Sequence, residues 1–207
     1  MDATNLLNGF RLVPVVVLED ANNAVPLART LLESGIGVME ITLRTVDGLR
    51  SIEQVARDVP EMIVGAGSVR TVEHFADVSA AGAKFAVSPG ASAALCNAAA
   101  EHNLPFVPGA ATASEMIVLL ERGYRLQKFF PAGASGGIDF LKSVSSPIPE
   151  VKFMPTGGIS TSNAADYLAL SNVSGVGGSW ITPKGLLVKK DFAAIAELAS
   201  DALRFCA

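Results

Sequence analysis

Cysteine, histidine, tryptophan and charge are all scarce in this chain of 207 residues, which holds two Cys, two His, one Trp and only 17% charged residues. Each scarcity excludes something. Cys96 and Cys206 are too few and too far apart for the disulfide framework that small secreted domains rely on. His74 and His102 fall in helix-like segments outside any Cys/His ligand pattern, so a histidine-ligated metal site is not expected. Sixteen basic residues against 20 acidic ones give a net charge of −4, unlike the basic footprint of a nucleic-acid module. No long apolar run exists either. Leu12 to Leu18 is interrupted by Pro14 and closed by Glu19-Asp20, well short of the roughly 20 residues a membrane span needs. Asp2 stands where a secretory signal would carry basic residues. Neither a GxSxG elbow nor a Walker-type loop occurs. These absences lead to the expectation of a soluble protein of the reducing cytoplasm, without nucleic-acid or membrane partners.

Apolar material is abundant: half the residues are hydrophobic and the mean hydropathy is +0.40. Such a chain folds compactly and hides most of its surface. Short apolar runs begin near Val13, Val38, Met62, Lys84, Pro105, Leu126, Val151 and Ser174, at spacings of 21 to 25 residues. Amphipathic stretches lie between them: Val25–Ser34, Ser51–Asp58, His74–Ala81, Ala91–Glu101, Ser114–Arg122, Asn163–Leu170 and Phe192–Phe205, with a poorly patterned Gly137–Ser145 after the sixth run. Asp20, Ser114 and Thr161 are candidate helix caps, and Gly35 and Gly82 are candidate helix stops. No linker or composition break divides the units. Eight β–α units in one domain point to a (β/α)8 TIM barrel; a doubly wound open sheet is the rival.

In either fold, function gathers at the C-terminal ends of the strands. Strand two reads Glu40-Ile41-Thr42-Leu43-Arg44, and a period of two puts Glu40, Thr42 and Arg44 on one face. Charged groups lining an interior are costly unless paired or working. They either tie neighbouring strands together, or Arg44 holds an anion while Glu40 moves protons. Strand six carries Lys128 in Leu126-Gln127-Lys128-Phe129-Phe130-Pro131. An amine buried among apolar side chains loses hydration, which favours its neutral form and lets it attack a ketone. Lys84 and Lys152 sit in similar settings, each followed by Phe, and parity does not choose among the three. Interior layers draw on alternate strands, which disfavours Lys152 as the partner of Glu40. Thr156-Gly157-Gly158 and Gly177-Gly178-Ser179 end strands seven and eight, where barrels often bind phosphate. Ser68, after strand three, can donate to a carboxylate or cap the next helix. Trp180 reads as packing.

Taken together, eight segments resemble the 2-keto-3-deoxy-6-phosphogluconate (KDPG)/4-hydroxy-2-oxoglutarate (KHG) aldolase family. They are Pro14-Val15-Val16-Val17, Glu40–Thr45, Val64–Val69, Ser88-Pro89-Gly90, Pro108-Gly109, Lys128–Ala132, Pro155–Ile159 and Gly177–Trp180. The resemblance implies Lys128 as the Schiff-base lysine and Glu40 as the general acid/base. It implies Arg44, Ser68 and Thr156 at the substrate carboxylate and neighbouring oxygens, Gly157, Gly158, Gly178 and Ser179 at the phosphate, and Pro89 and Phe130 as pocket walls. It also implies a keto-acid substrate with pyruvate as product, no cofactor or metal, a homotrimer, and a place in the Entner–Doudoroff pathway. Three positions depart from the family pattern: Ser68 replaces the usual Thr, Gly133 replaces an acidic residue, and Glu19-Asp20 replaces a basic one. The expected architecture is a single (β/α)8 barrel over residues 1–207 with a short N-terminal helix. Competing readings are a phosphosugar isomerase or epimerase on the same barrel, a 6-phosphogalactonate-specific aldolase, and a non-catalytic metabolite sensor.

Overall fold

The computed structural model describes residues 2–206. Strands and helices alternate as β1 (Leu12–Val16), α1 (Ala24–Glu33), β2 (Val38–Thr42), α2 (Gly48–Asp58), β3 (Ile63–Gly67), α3 (Val72–Ala80), β4 (Phe85–Val87), α4 (Ala93–Glu101), β5 (Phe106–Val107), β6 (Gly109–Ala110), α5 (Ala113–Glu121), β7 (Leu126–Phe129), α6 (Gly137–Ser145), β8 (Lys152–Pro155), α7 (Ala164–Leu168), β9 (Val176–Gly178), α8 (Lys184–Lys189) and α9 (Phe192–Cys206). All the pairings are parallel, in two sheets of order β5-β4-β3-β2-β1-β9 and β6-β7-β8. From β1 to β5 each strand lies beside its sequence neighbour without reversal. A doubly wound sheet needs a reversal at its switch point, so that rival is excluded.

The fold is thus α/β with a curled parallel sheet, found in two pieces where one ring of eight was expected. The first seam is at Pro108. Val107 pairs with Val87 of β4, whereas Gly109 pairs with Lys128 of β7. Proline has no N–H to give a ladder, so the fifth run changes partner there and counts as two short strands. The second seam lies between β8 and β9, where the isolated parallel bridges Phe153↔Val173 and Thr156↔Gly177 stand in place of a ladder.

The expected N-terminal helix is not formed. Residues 4–9 make turns, with one helix-like bond from the Leu7 N–H to the Ala3 carbonyl (3.0 Å). The Asp2 carboxylate accepts from the N–H of Thr4 (3.2 Å) and of Leu126 (3.1 Å), tying this segment to β7. Gly9, at φ +88°, then turns the chain before a second helical turn can follow.

Alternation along the strands sorts the core into two clusters. Met39, Ile41, Ala86 and Phe129 face the helices in the larger one. Val13, Val38, Phe85, Val87, Val107, Leu126 and Met154 form the smaller one on the concave side, where Ala3 and Leu7 press in from the N-terminal segment. That plug explains why residues 2–10 are ordered without being helical.

Two expected caps move. Thr112, not Ser114, caps α5: its Oγ1 accepts the Glu115 N–H (3.3 Å), and Glu115 Oε2 accepts the Thr112 N–H (2.9 Å) in a reciprocal capping box. Asn163, not Thr161, stands at the start of α7, and its Oδ1 accepts the Ser160 N–H (2.9 Å). Asp20 caps as expected, but on a single 3-10 turn, Ala21–Asn23. Gly35 and Gly82 end their helices at φ +92° and +86°. No described helix is long and apolar enough to cross a membrane. Cys96 is free and buried; the Cys206 side chain lies outside the described residues.

Candidate active site

The concave face changes character towards the C-terminal ends of the strands. On β2, Val38 belongs to the apolar cluster, while Glu40 and Thr42, on the same face, are fully buried polar residues. On β7, Leu126 is apolar and Lys128 follows two residues later, 4% exposed. The three candidate lysines now separate. Lys84 precedes β4 and is exposed. Lys152 opens β8 and is also exposed, with its Nζ on the Ser171 carbonyl (2.8 Å). Only Lys128 sits in mid-strand on the concave face, and its Nζ donates to Glu40 Oε1 at 3.2 Å. The Phe130 ring centroid lies 5.5 Å from the same nitrogen.

Gly67 of β3 makes room for this pair. A Cβ at residue 67 would lie 2.1 Å from Glu40 Oε1, so any other side chain would displace the carboxylate. Glu40 Oε2 and Thr42 Oγ1 are buried and have no hydrogen-bond partner among the described residues. Burying an ion pair costs desolvation that its attraction repays only in part. A buried amine against a carboxylate with acceptor capacity to spare is therefore a poor choice for stability alone, and a good one for moving protons.

Above the pair opens a cavity of ≈ 380 Å3 lined by Leu43, Arg44, Ser68, Arg70, Pro89, Lys128, Phe130 and Thr156. Six of the residues expected at the site therefore share one space, and Glu40 lies beneath it. Arg44 is beyond the end of β2 and exposed, and its Nε donates to Ser68 Oγ at 3.2 Å. Ser68 itself adopts φ +59°, turning the chain directly after β3. The capping alternative for Ser68 is excluded, because Thr71 caps α3 by accepting the His74 N–H (3.4 Å). Thr156 is 7% exposed, and its Oγ1 donates to the Met154 carbonyl at 3.4 Å.

Residues 3–198 match the family model described as KDPG and KHG aldolase. The chain belongs to the KDPG/KHG aldolase family. It is 43% identical over 201 residues to the 2-dehydro-3-deoxy-phosphogluconate aldolase of Dickeya dadantii, covering 97% of this chain and 94% of that one. The KHG/KDPG aldolase of Escherichia coli K12 matches equally, at 43% identity with the same two coverages, 97% and 94%. A solved KDPG aldolase from Legionella pneumophila, with pyruvate captured at low pH as a covalent carbinolamine intermediate, superimposes with a TM-score of 0.93 at 42% identity, covering 97% of each chain.

The four residues expected at a phosphate do not line the cavity of this KDPG/KHG aldolase family member. Gly157 and Gly158 take φ +90° and +79°, a conformation that favours glycine. Their carbonyls accept from the Gly133 N–H (2.9 Å) and from Asn163 Nδ2 (2.9 Å). Gly178 lies under the Trp180 ring, where an added Cβ would come within 2.1 Å of the indole, so Trp180 packs as expected. Ser179 is exposed.

The acidic pair after β1 is engaged by a lysine at each end of α8: Glu19 Oε1 with Lys184 Nζ at its start (2.9 Å), and Asp20 Oδ2 with Nζ of Lys190, the residue just past it (3.8 Å). Two site features went unassigned in the sequence. Gly67 gave only a generic glycine signal, since its partner Glu40 is 27 residues away in the chain. Arg70 carried no strand signal: it lies past β3, off the parity of Gly65 and Gly67, and reaches the cavity only because Ser68 turns the chain at φ +59°.

Proposed function

We propose that this protein catalyses reversible aldol cleavage of KDPG to pyruvate and glyceraldehyde 3-phosphate through a Schiff base on Lys128, and cleaves KHG to pyruvate and glyoxylate by the same steps. The observation that carries this reading is a buried lysine Nζ 3.2 Å from a buried carboxylate, beneath a cavity whose mouth presents guanidinium groups.

The neutral amine of Lys128 adds to the C2 carbonyl, giving a carbinolamine. Proton transfer to its hydroxyl lets water leave, and a protonated imine remains. Glu40, in contact with Nζ, is positioned to take and return these protons. The imine cation is an electron sink. Once a base removes the C4 hydroxyl proton, the C3–C4 pair flows into the imine, the aldehyde departs and an enamine is left. Protonation at C3 and addition of water then return pyruvate and the free amine. Arg44 holds the substrate carboxylate by a charge-assisted contact, with Ser68 and Thr156 at neighbouring oxygens and Pro89 and Phe130 as walls. Because the amine itself supplies the electron sink, the scheme uses no metal or organic cofactor.

For the phosphorylated substrate we assign the phosphate to the backbone N–H groups of Gly157, Gly158 and Gly178 and to the Ser179 hydroxyl. The left-handed turn at residues 157 and 158, whose carbonyls are already tied back, supports that assignment. The two curled sheets are taken as arcs of one (β/α)8 barrel, supported by the bridges that link β8 to β9. A homotrimer in the reducing cytoplasm, acting in the Entner–Doudoroff pathway, completes the proposal; the free Cys96 thiol is consistent with that compartment.

Pyruvate release from KDPG, its phosphogalactonate epimer and KHG, measured side by side with EDTA present, tests the reading. KDPG should turn over fastest, with KHG measurable. No pyruvate from any of the three would overturn it, and turnover of the epimer alone would reassign the substrate.

A further inference from the structure

We propose that Arg70 is a second carboxylate-binding residue, acting beside Arg44 on the 2-oxo-acid half of the substrate. This deepens the aldolase reading and rests on it. Arg70 lines the same cavity as Arg44, Ser68 and Lys128, and its side chain has no hydrogen-bond or ion-pair partner among the described residues. The backbone explains how it gets there. Ser68, at φ +59°, turns the chain after β3, Val69 is fully buried, and the next side chain comes back to the mouth. The Arg70 N–H donates to Nδ1 of His74 (3.2 Å), which pins the turn to the start of α3.

Charge around the cavity shows what Arg70 adds. Lys128 and Glu40 compensate each other, and no Asp or Glu lines the cavity. Arg44 and Arg70 are therefore an uncompensated cationic pair on a chain of net charge −4. Arg44 already spends its Nε on Ser68, so only its outer nitrogens remain for a ligand. A carboxylate gripped there still has acceptor sites to spare, because an ionised carboxylate offers about four lone pairs. Arg70, on the adjoining strand end, can fill them. Two guanidinium groups at one mouth also focus the local field and draw anions towards it.

The test uses pyruvate, which has the 2-oxo-acid half and nothing else. Borohydride reduction traps the pyruvate imine, and the pyruvate concentration giving half-maximal trapping is measured against salt for wild type, Arg70→Gln and Arg70→Lys. Arg70→Gln should raise that concentration roughly tenfold, on the order of one charged hydrogen bond. It should also flatten the salt dependence, and Arg70→Lys should recover most of both effects. An unchanged half-saturation and salt slope in Arg70→Gln overturns the proposal. So does a variant that weakens only KDPG and not pyruvate, since Arg70 would then serve the distal end. Wild-type protein that is not trapped at all would instead overturn the Schiff-base reading beneath it.

Discussion

Gly65 and Gly67 stand two residues apart on β3, on the same concave face, and each is glycine because another side chain occupies the place of its Cβ. At Gly65 the occupant is the Phe85 ring, 2.3 Å from where that carbon would be; at Gly67 it is Glu40 Oε1, at 2.1 Å. One device therefore serves two ends of one surface. The lower end is apolar and plugged by Ala3 and Leu7. At the upper end the same alternation delivers Lys128 and Thr156 into a cavity and buries the polar Glu40 and Thr42 on the same face. The difference teaches that strand parity selects which residues face inward, whereas height along the strand decides whether they pack or do chemistry.

Breaking the upper end should cost activity before stability. In Gly67→Ala the added methyl must push the Glu40 carboxylate off Lys128, so aldol cleavage should fall by about a hundredfold or more, as expected for losing a positioned acid/base. Steady-state pyruvate release measures this, and near wild-type turnover would show that the Glu40–Lys128 contact is dispensable.

Breaking the lower end should do the reverse. Phe85→Ala empties a fully buried ring position and should cost about 3–5 kcal/mol of unfolding free energy by the usual range for such truncations. Denaturant titration reads that loss. The folded fraction should retain imine formation at Lys128, and loss of trapping in folded protein would mean that the two ends are not separable.

The smallest effect is expected away from both. Thr112→Ala removes one half of the α5 capping box at a cost of about 1 kcal/mol. The partner Glu115 has its pKa lowered, chiefly by the Ala111 N–H donating to its carboxylate. A depressed carboxylate pKa stabilises the fold above the unfolded value, and the gain is lost as pH falls through the folded one. The thermal midpoint of Glu115→Gln should therefore approach that of wild type as the pH is lowered through the carboxylate range. A gap that stays constant with pH would contradict the assignment.

Much of this was legible in the sequence because periodicity reports parity directly. The positions of β1 to β4, the shared face of Glu40, Thr42 and Arg44, and most helices follow from it, whereas Lys128 was singled out by the family resemblance. What it could not report was height. Lys84, Lys128 and Lys152 each precede a phenylalanine, yet Lys84 lies before its strand, Lys152 opens its strand, and only Lys128 sits in the third position. A lysine at a strand start snorkels to solvent; one in mid-strand cannot. The break at Pro108 was hidden for a related reason, since two residues on either side are too few to show a period. The glycine pairs after β8 and in β9 were ambiguous because left-handed turns and close ring packing call for glycine as readily as a phosphate does. The N-terminal segment was misread because its order comes from Asp2 reaching β7, a contact 124 residues away in the chain.

The central claim is that the upper end works through one amine. Incubation with pyruvate and borohydride, followed by peptide mass mapping, tests it most directly. The account predicts one reduced pyruvate adduct per chain, on Lys128. An adduct on Lys84 or Lys152 instead, or none at all, would contradict it.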